Sequence, residues 1–199
     1  MFLLGAWDGV IQAMLRIQEA FESFTSGRLH LSAGVGIYGE SYPIRRAAIQ
    51  TEELVDEAKS MEGKNAVSLF APGQGHSYSW SVFRERAIGE KLSCVRSFFK
   101  NQARDGAEER GMAFLYRILE LLRRCNEQIN LARIAYLLAR LEPSRKETEA
   151  QLRYRVFSRS VMQWCRSEED RRELITAIYL YVYRERGANV NDSELLLQQ

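Results

Sequence analysis

Arg28-Leu-His-Leu-Ser-Ala-Gly-Val-Gly-Ile-Tyr38 alternates without a break. Leu29, Leu31, Ala33, Val35 and Ile37 fall on one side of an extended chain, and His30, Ser32, Gly34 and Gly36 on the other. A two-residue period is the mark of a β-strand. The apolar side is expected to pack on helices. The Ser/Gly side lets another group approach the backbone closely.

On the C-terminal side a helix is expected from about Pro43 to Met61. Pro43 suits a first turn, where its missing N–H costs nothing. Ile44, Ala47, Ala48, Leu54, Val55, Ala58 and Met61 supply a buried stripe. Gly63 fits the stop, and Asn65–Phe70 reads as a short strand. On the N-terminal side, Val10, Ile11, Met14, Ile17, Phe21 and Phe24 mark one helical face over residues 8–25, with Asp8 as N-cap. Met1–Trp7 reads as a strand running straight into that helix, an opening expected of a chain cut from a longer one. The order strand, helix, strand, helix, strand defines an α+β layer over residues 1–71.

Pro72-Gly-Gln-Gly-His-Ser77 reads as a turn-rich linker with His76 solvated. Helical periodicity follows near 79–100, 108–126, 130–141, 144–165 and 168–186, broken at Asp105-Gly106, at Pro143 and at the capping-box-like Ser167-Glu-Glu-Asp170. Short connections favour antiparallel neighbours, hence an all-α bundle over 78–187. The polar stretch 188–199 is expected to be a flexible tail.

Net charge is only +2, so no global basic field announces a nucleic-acid binder. Residues 1–70 carry 6 Lys/Arg against 9 Asp/Glu, and the remainder 22 against 17. Cys94, Cys125 and Cys165 are scattered, without a CxxC or a histidine cluster, which argues against a disulfide framework and a zinc site. No apolar run approaches a bilayer span, and the opening segment lacks a basic region ahead of Asp8. A cytoplasmic protein is expected.

Two stretches go further. His30-Leu-Ser-Ala-Gly-Val-Gly-Ile37, followed one helix later by Glu57-Ala-Lys-Ser-Met-Glu-Gly-Lys-Asn65, resembles the back half of GGDEF-type nucleotidyl-cyclase palms. With Tyr42-Pro43-Ile44 opening the helix, it looks like the ferredoxin-like palm of the large subunit of type III CRISPR effector complexes. Gly111–Leu119, Asn130–Arg140 and Ala177–Arg184 resemble that subunit's C-terminal helical domain, especially in its Csm (III-A) branch.

The resemblance implies a C-terminal piece of a protein that makes cyclic oligoadenylate from ATP, with Mg or Mn held at a Gly-Gly-Asp-Asp hairpin. It implies docking to a small helical subunit and a guide-end subunit, beside guide RNA and target RNA. It also implies that Lys59, Lys64 and Ser32 approach the nucleotide. No Gly-Gly-Asp-Asp occurs in the sequence, so no catalytic residue and no metal ligand is assigned, and activity of this chain is not expected. The resemblance also implies a first palm and an HD nuclease domain elsewhere, neither of them in this chain.

Each candidate has a plainer role beside it. A lysine in the last turn of a helix complements the macrodipole with no ligand at all. Ser32 can be simply a small strand residue. His30 lacks a second ligand for a metal. Arg133, Arg140, Arg184 and Arg186 can be solvated, or can meet RNA or a neighbouring subunit. Phe98-Phe99 and Tyr179, Tyr181 and Tyr183 fit core packing better than base stacking. A GGDEF-like signalling cyclase and a purely helical interaction module stand as alternatives.

Overall fold

The computed structural model describes residues 1–100, 108–124, 128–143 and 148–196. Cys125, the Asp105-Gly106 break, the start of the helix expected at 144, and the last residues of the expected tail lie outside them. The chain divides into two compact units, Met1–Arg84 and Glu85–Gln199.

The first unit begins with helix α1, Trp7–Thr25. Residues 1–6 form no strand, and Met1, Phe2 and Leu4 are exposed. A strand exists only by pairing, and no described segment pairs with them. The first helical residue is Trp7, so Asp8 lies inside the first turn rather than capping it; its Oδ1 accepts from Gly9 N–H at 2.8 Å. Ile11, Met14 and Gln18 are the buried positions, while Phe24 is left exposed. Gln18 Oε1 accepts from Arg84, which also pairs with Glu19 at 3.4 Å.

Strand β1 covers Ala33–Gly36, helix α2 Ile44–Ser60, strand β2 Ala66–Phe70 and strand β3 Ser77–Ser79. The sheet order is β1-β2-β3. β1 and β2 run parallel, with Ala33 opposite Val67 and Gly36 opposite Phe70, joined through α2 as parallel neighbours require. β2 and β3 run antiparallel, with Ala66 opposite Ser79. The segment expected to be a linker is therefore the turn of a hairpin. Gly73 and Gly75 hold positive φ there (76° and 72°), which glycine adopts without a Cβ penalty. His76 is buried rather than solvated: the turn folds its ring edge-on to Phe70, with centroids 5.2 Å apart.

The strand expected over 28–38 is shorter than its alternation, because pairing extends only as far as β2 reaches. Its glycine face is also occupied. A Cβ on Gly34 would sit 2.6 Å from Thr51 O, 2.7 Å from Val55 N and 2.8 Å from Leu54 Cβ. The group that approaches Gly34 is α2 itself, while Gly36 faces the Tyr38 ring. Leu54 and Ala58 are its fully buried positions, and Ile44 is exposed. Trp80 ties the unit together, its indole N–H donating to Leu31 O at 2.7 Å.

Residues Val82–Leu92 form a π-helix, where an ordinary helix is expected. Phe83, Ala87, Lys91 and Val95 are all fully buried, so buried positions recur every fourth residue. That period is longer than the 3.6 of an α-helix, and widening the turn keeps the positions in line. In the second unit α3, Ser93–Lys100, packs with α6, Thr148–Trp164, and α7, Glu168–Leu196. Helix α4, Glu108–Arg123, packs with α5, Gln128–Ala139, and with α7. α7 continues past Gly187, since one glycine lowers helix propensity by roughly 1 kcal/mol without interrupting the helix.

The core of this unit is aromatic. Phe98 stacks on Phe157 at 4.2 Å, and Phe99 meets Phe157 edge-on and Tyr181 at 5.8 Å. Tyr179 and Tyr183 are half-buried, with Arg123 over the Tyr179 ring. The same unit holds an ion cluster. Lys91, wholly buried, reaches Glu173 at 2.7 Å, Asp170 at 3.0 Å and Glu90 at 3.2 Å. Arg86 meets Asp170 at 2.7 Å and Glu173 at 3.2 Å, and Trp164 lies under the Lys91 ammonium.

Burial alone would raise the Asp170 carboxyl, but hydrogen bonds from Lys91 and Arg86 outweigh it and hold the group below its ordinary 3.8. Burial would lower Lys91, but its carboxylate partners hold it above 10.5. The stability due to Asp170 is complete above 3.8 and is lost as pH falls through the depressed folded value. That due to Lys91 is complete below 10.5 and is lost as pH rises through the raised one. Urea midpoints of the helical unit are expected to be flat between those limits and to drop outside both.

Candidate functional site

The residues singled out by sequence gather at one end of the parallel pair. Ser32 immediately precedes β1, and its hydroxyl donates to Lys64 O at 2.7 Å. Lys64 closes a single 3-10 turn, Glu62–Lys64, between α2 and β2. Gly63 and Lys64 both have positive φ (78° and 48°), which turns the chain sharply from the end of α2 into β2. A non-glycine residue there is uncommon, and the bond from Ser32 helps to hold it.

Lys59 stands in the last turn of α2, where its charge complements the helix C-terminus. Its ammonium lies 3.2 Å from Asp56, with both side chains more than half exposed. An exposed pair of this kind contributes little and exchanges readily. The fold thus brings Ser32 and Lys64 into direct contact and leaves the ammonium groups of Lys59 and Lys64 accessible. The Ser32 hydroxyl is already engaged with backbone.

Gly34 faces α2 and Gly36 the Tyr38 ring rather than open space, so a ligand near Ser32 would meet the mouth of the strand pair, not the Gly34 surface. His30 is exposed. At the opposite end of β1, Tyr38 stacks on Tyr42 with centroids 4.9 Å apart. Their hydroxyls meet Thr51 Oγ1 at 3.2 Å and Gln50 Oε1 at 2.9 Å, so this pair clamps the loop into α2.

Sequence reading missed Glu57, whose carboxylate accepts from Gly73 N–H and anchors the hairpin turn. It also missed the Lys91 cluster, whose members lie about 80 positions apart and share no local motif. Among the described residues no group of three His, Cys, Asp or Glu side chains is placed to hold a metal ion. Cys94 and Cys165 are free thiols, and burial pushes the Cys94 thiol up. No described helix is long and apolar enough to cross a membrane.

A half-palm followed by a helical unit defines a class. The family described as Cas10/Cmr2, second palm domain, matches residues 1–68. The second helical domain of the CRISPR RNA silencing complex Cmr2 subunit matches residues 96–187.

Relatives narrow it. A CRISPR system single-strand-specific deoxyribonuclease Cas10/Csm1 (subtype III-A) of Mycobacterium tuberculosis is 38% identical over 93% of this chain and 22% of its own length. The protein of the same description from Enterococcus italicus is 39% identical over 95% of this chain and 22% of its own length. For that of Streptococcus thermophilus the values are 35%, 93% and 24%. The chain belongs to the Cas10/Csm1 family of type III-A CRISPR large subunits and spans about a quarter or less of the length of these relatives. The signalling-cyclase and helical-module alternatives give way to it.

Proposed function

We propose that this chain supplies the lysine-bearing end of an ATP-binding palm and the helical docking domain of a type III-A effector complex. The juxtaposition of Ser32 with the Lys64 carbonyl, beside the Lys59 end of α2, supports this reading most directly. Two accessible ammonium groups at one mouth suit a triphosphate, whose charge they offset. Ser32 acts as a positioning residue: it fixes the Lys64 backbone and so aims that side chain.

The described carboxylates do not form a set that fits Mg or Mn, and no metal-dependent step is derived for these residues. In the whole protein, synthesis of cyclic oligoadenylate from ATP would need the Gly-Gly-Asp-Asp carboxylates, which these 199 residues do not contain. The partners of the helical unit are a small helical subunit and a guide-end subunit, beside guide RNA and target RNA, in the cytoplasm.

Calorimetric titration of the chain with ATP tests the nucleotide part. Saturable binding in the millimolar range or tighter is expected, weakened about tenfold in Lys59→Ala/Lys64→Ala, about 1.4 kcal/mol. No heat at millimolar ATP, or an unchanged affinity in the double variant, contradicts it.

A further inference from the structure

The outward face of α6 carries a row of arginines. Leu152, Arg155, Val156, Arg159, Gln163 and Arg166 are all exposed, while Phe157, Val161 and Trp164 point into the core. Arg166 lies in the turn that prolongs the helix, its N–H bonding to Gln163 O.

At 3.6 residues per turn the three arginines fall within about 40° of one another, in a row about 17 Å long. None of their guanidinium groups has an ion pair or hydrogen bond among the described residues. The neighbouring acids are otherwise placed. Glu149 pairs with Arg153, and Glu168 and Glu169 occupy the first turn of α7, where the helix dipole stabilises them.

We infer that this row binds the phosphate backbone of a single-stranded nucleic acid. Guanidinium groups without carboxylate partners complement a polyanion, and their planar forks fit phosphate oxygens. An acidic protein helix fits less well. That mode of docking needs apolar anchors at i, i+3 or i+4, and i+7. Here only Leu152 and Val156, one turn apart, serve, and the next positions along the row are Arg159 and Gln163. Those two aliphatic side chains lie beside the arginines at 65% and 57% exposure. They offer apolar contact to unstacked bases, which a duplex keeps inside. With phosphate as the recognised group, RNA and DNA strands bind alike.

The inference places a site within the RNA-associated role proposed above and is tested apart from the nucleotide mouth. Fluorescence anisotropy of the 199-residue chain with a labelled 20-nucleotide oligouridylate, its deoxythymidylate counterpart and a duplex of equal length reads it. Three phosphate contacts give a slope of log affinity against log salt of about −2 for the single strands. The slope should fall toward zero in Arg155→Gln/Arg159→Gln/Arg166→Gln, with at least tenfold weaker binding at low salt, an unchanged circular dichroism melt and an unchanged ATP titration. The duplex is expected to bind more weakly.

Unaltered affinity and slope in the triple variant overturn the inference. So does arginine-dependent binding of a helical peptide with Glu and Leu on one face, where the oligonucleotides show none. In either case a normal ATP response leaves the palm reading standing.

Discussion

Replacing Lys91 by methionine is expected to destabilise the helical unit by about 3–5 kcal/mol. Lys91 has no exposed surface, and its ammonium is the closest cationic partner of Glu173, itself almost wholly buried. Methionine fills nearly the same volume, so the loss is electrostatic rather than a cavity. It strands a carboxylate that burial has already removed from water, with Arg86 at 3.2 Å as its remaining partner. Urea denaturation followed by Trp164 fluorescence measures the loss, since that ring lies 5.1 Å from the ammonium. Lys91→Met/Glu173→Met should recover a good part of it, because an apolar pair leaves no unpaired charge. Equal stability of wild type and Lys91→Met would show that the cluster holds nothing together.

Gly34→Ala is expected to loosen the first unit by about 3 kcal/mol, the upper part of the range for overpacking. The added methyl meets helix backbone rather than the far end of a flexible side chain, so α2 must move as a body. Amide hydrogen exchange separates the effect by region. Protection should fall in β1, α2 and β2 and stay unchanged in α4 and α7. Gly9→Ala is the control: its methyl has nothing within 4 Å, and alanine favours the helix it sits in. A Gly34→Ala chain as protected as wild type would contradict the close packing of α2 on β1.

Much of this fold can be read from the residues. The alternation around Val35, the stop near Gly63 and the five helical stretches each rest on local patterns. What they could not show is what each face meets. Gly34 signals a close approach, but only the structure identifies α2 as the visitor. His76 sits among turn residues and looks solvated, yet the hairpin folds its ring against Phe70. The π-helix hides because a four-residue repeat differs little from 3.6 over two turns, and the acids that draw Lys91 inward come from α7, far along the chain. The candidate site was legible as residue types, Ser32, Lys59 and Lys64. The bond that makes Ser32 a support for Lys64 was not.

The most direct measurement is a residue-resolved map of amide chemical shifts as ATP is titrated into the chain. Shifts concentrated at Ser32, Lys59, Gly63, Lys64 and Asn65, saturating together and absent from α4 and α7, are what a lysine-lined nucleotide mouth produces. Shifts centred anywhere else, or none at millimolar ATP, would contradict it.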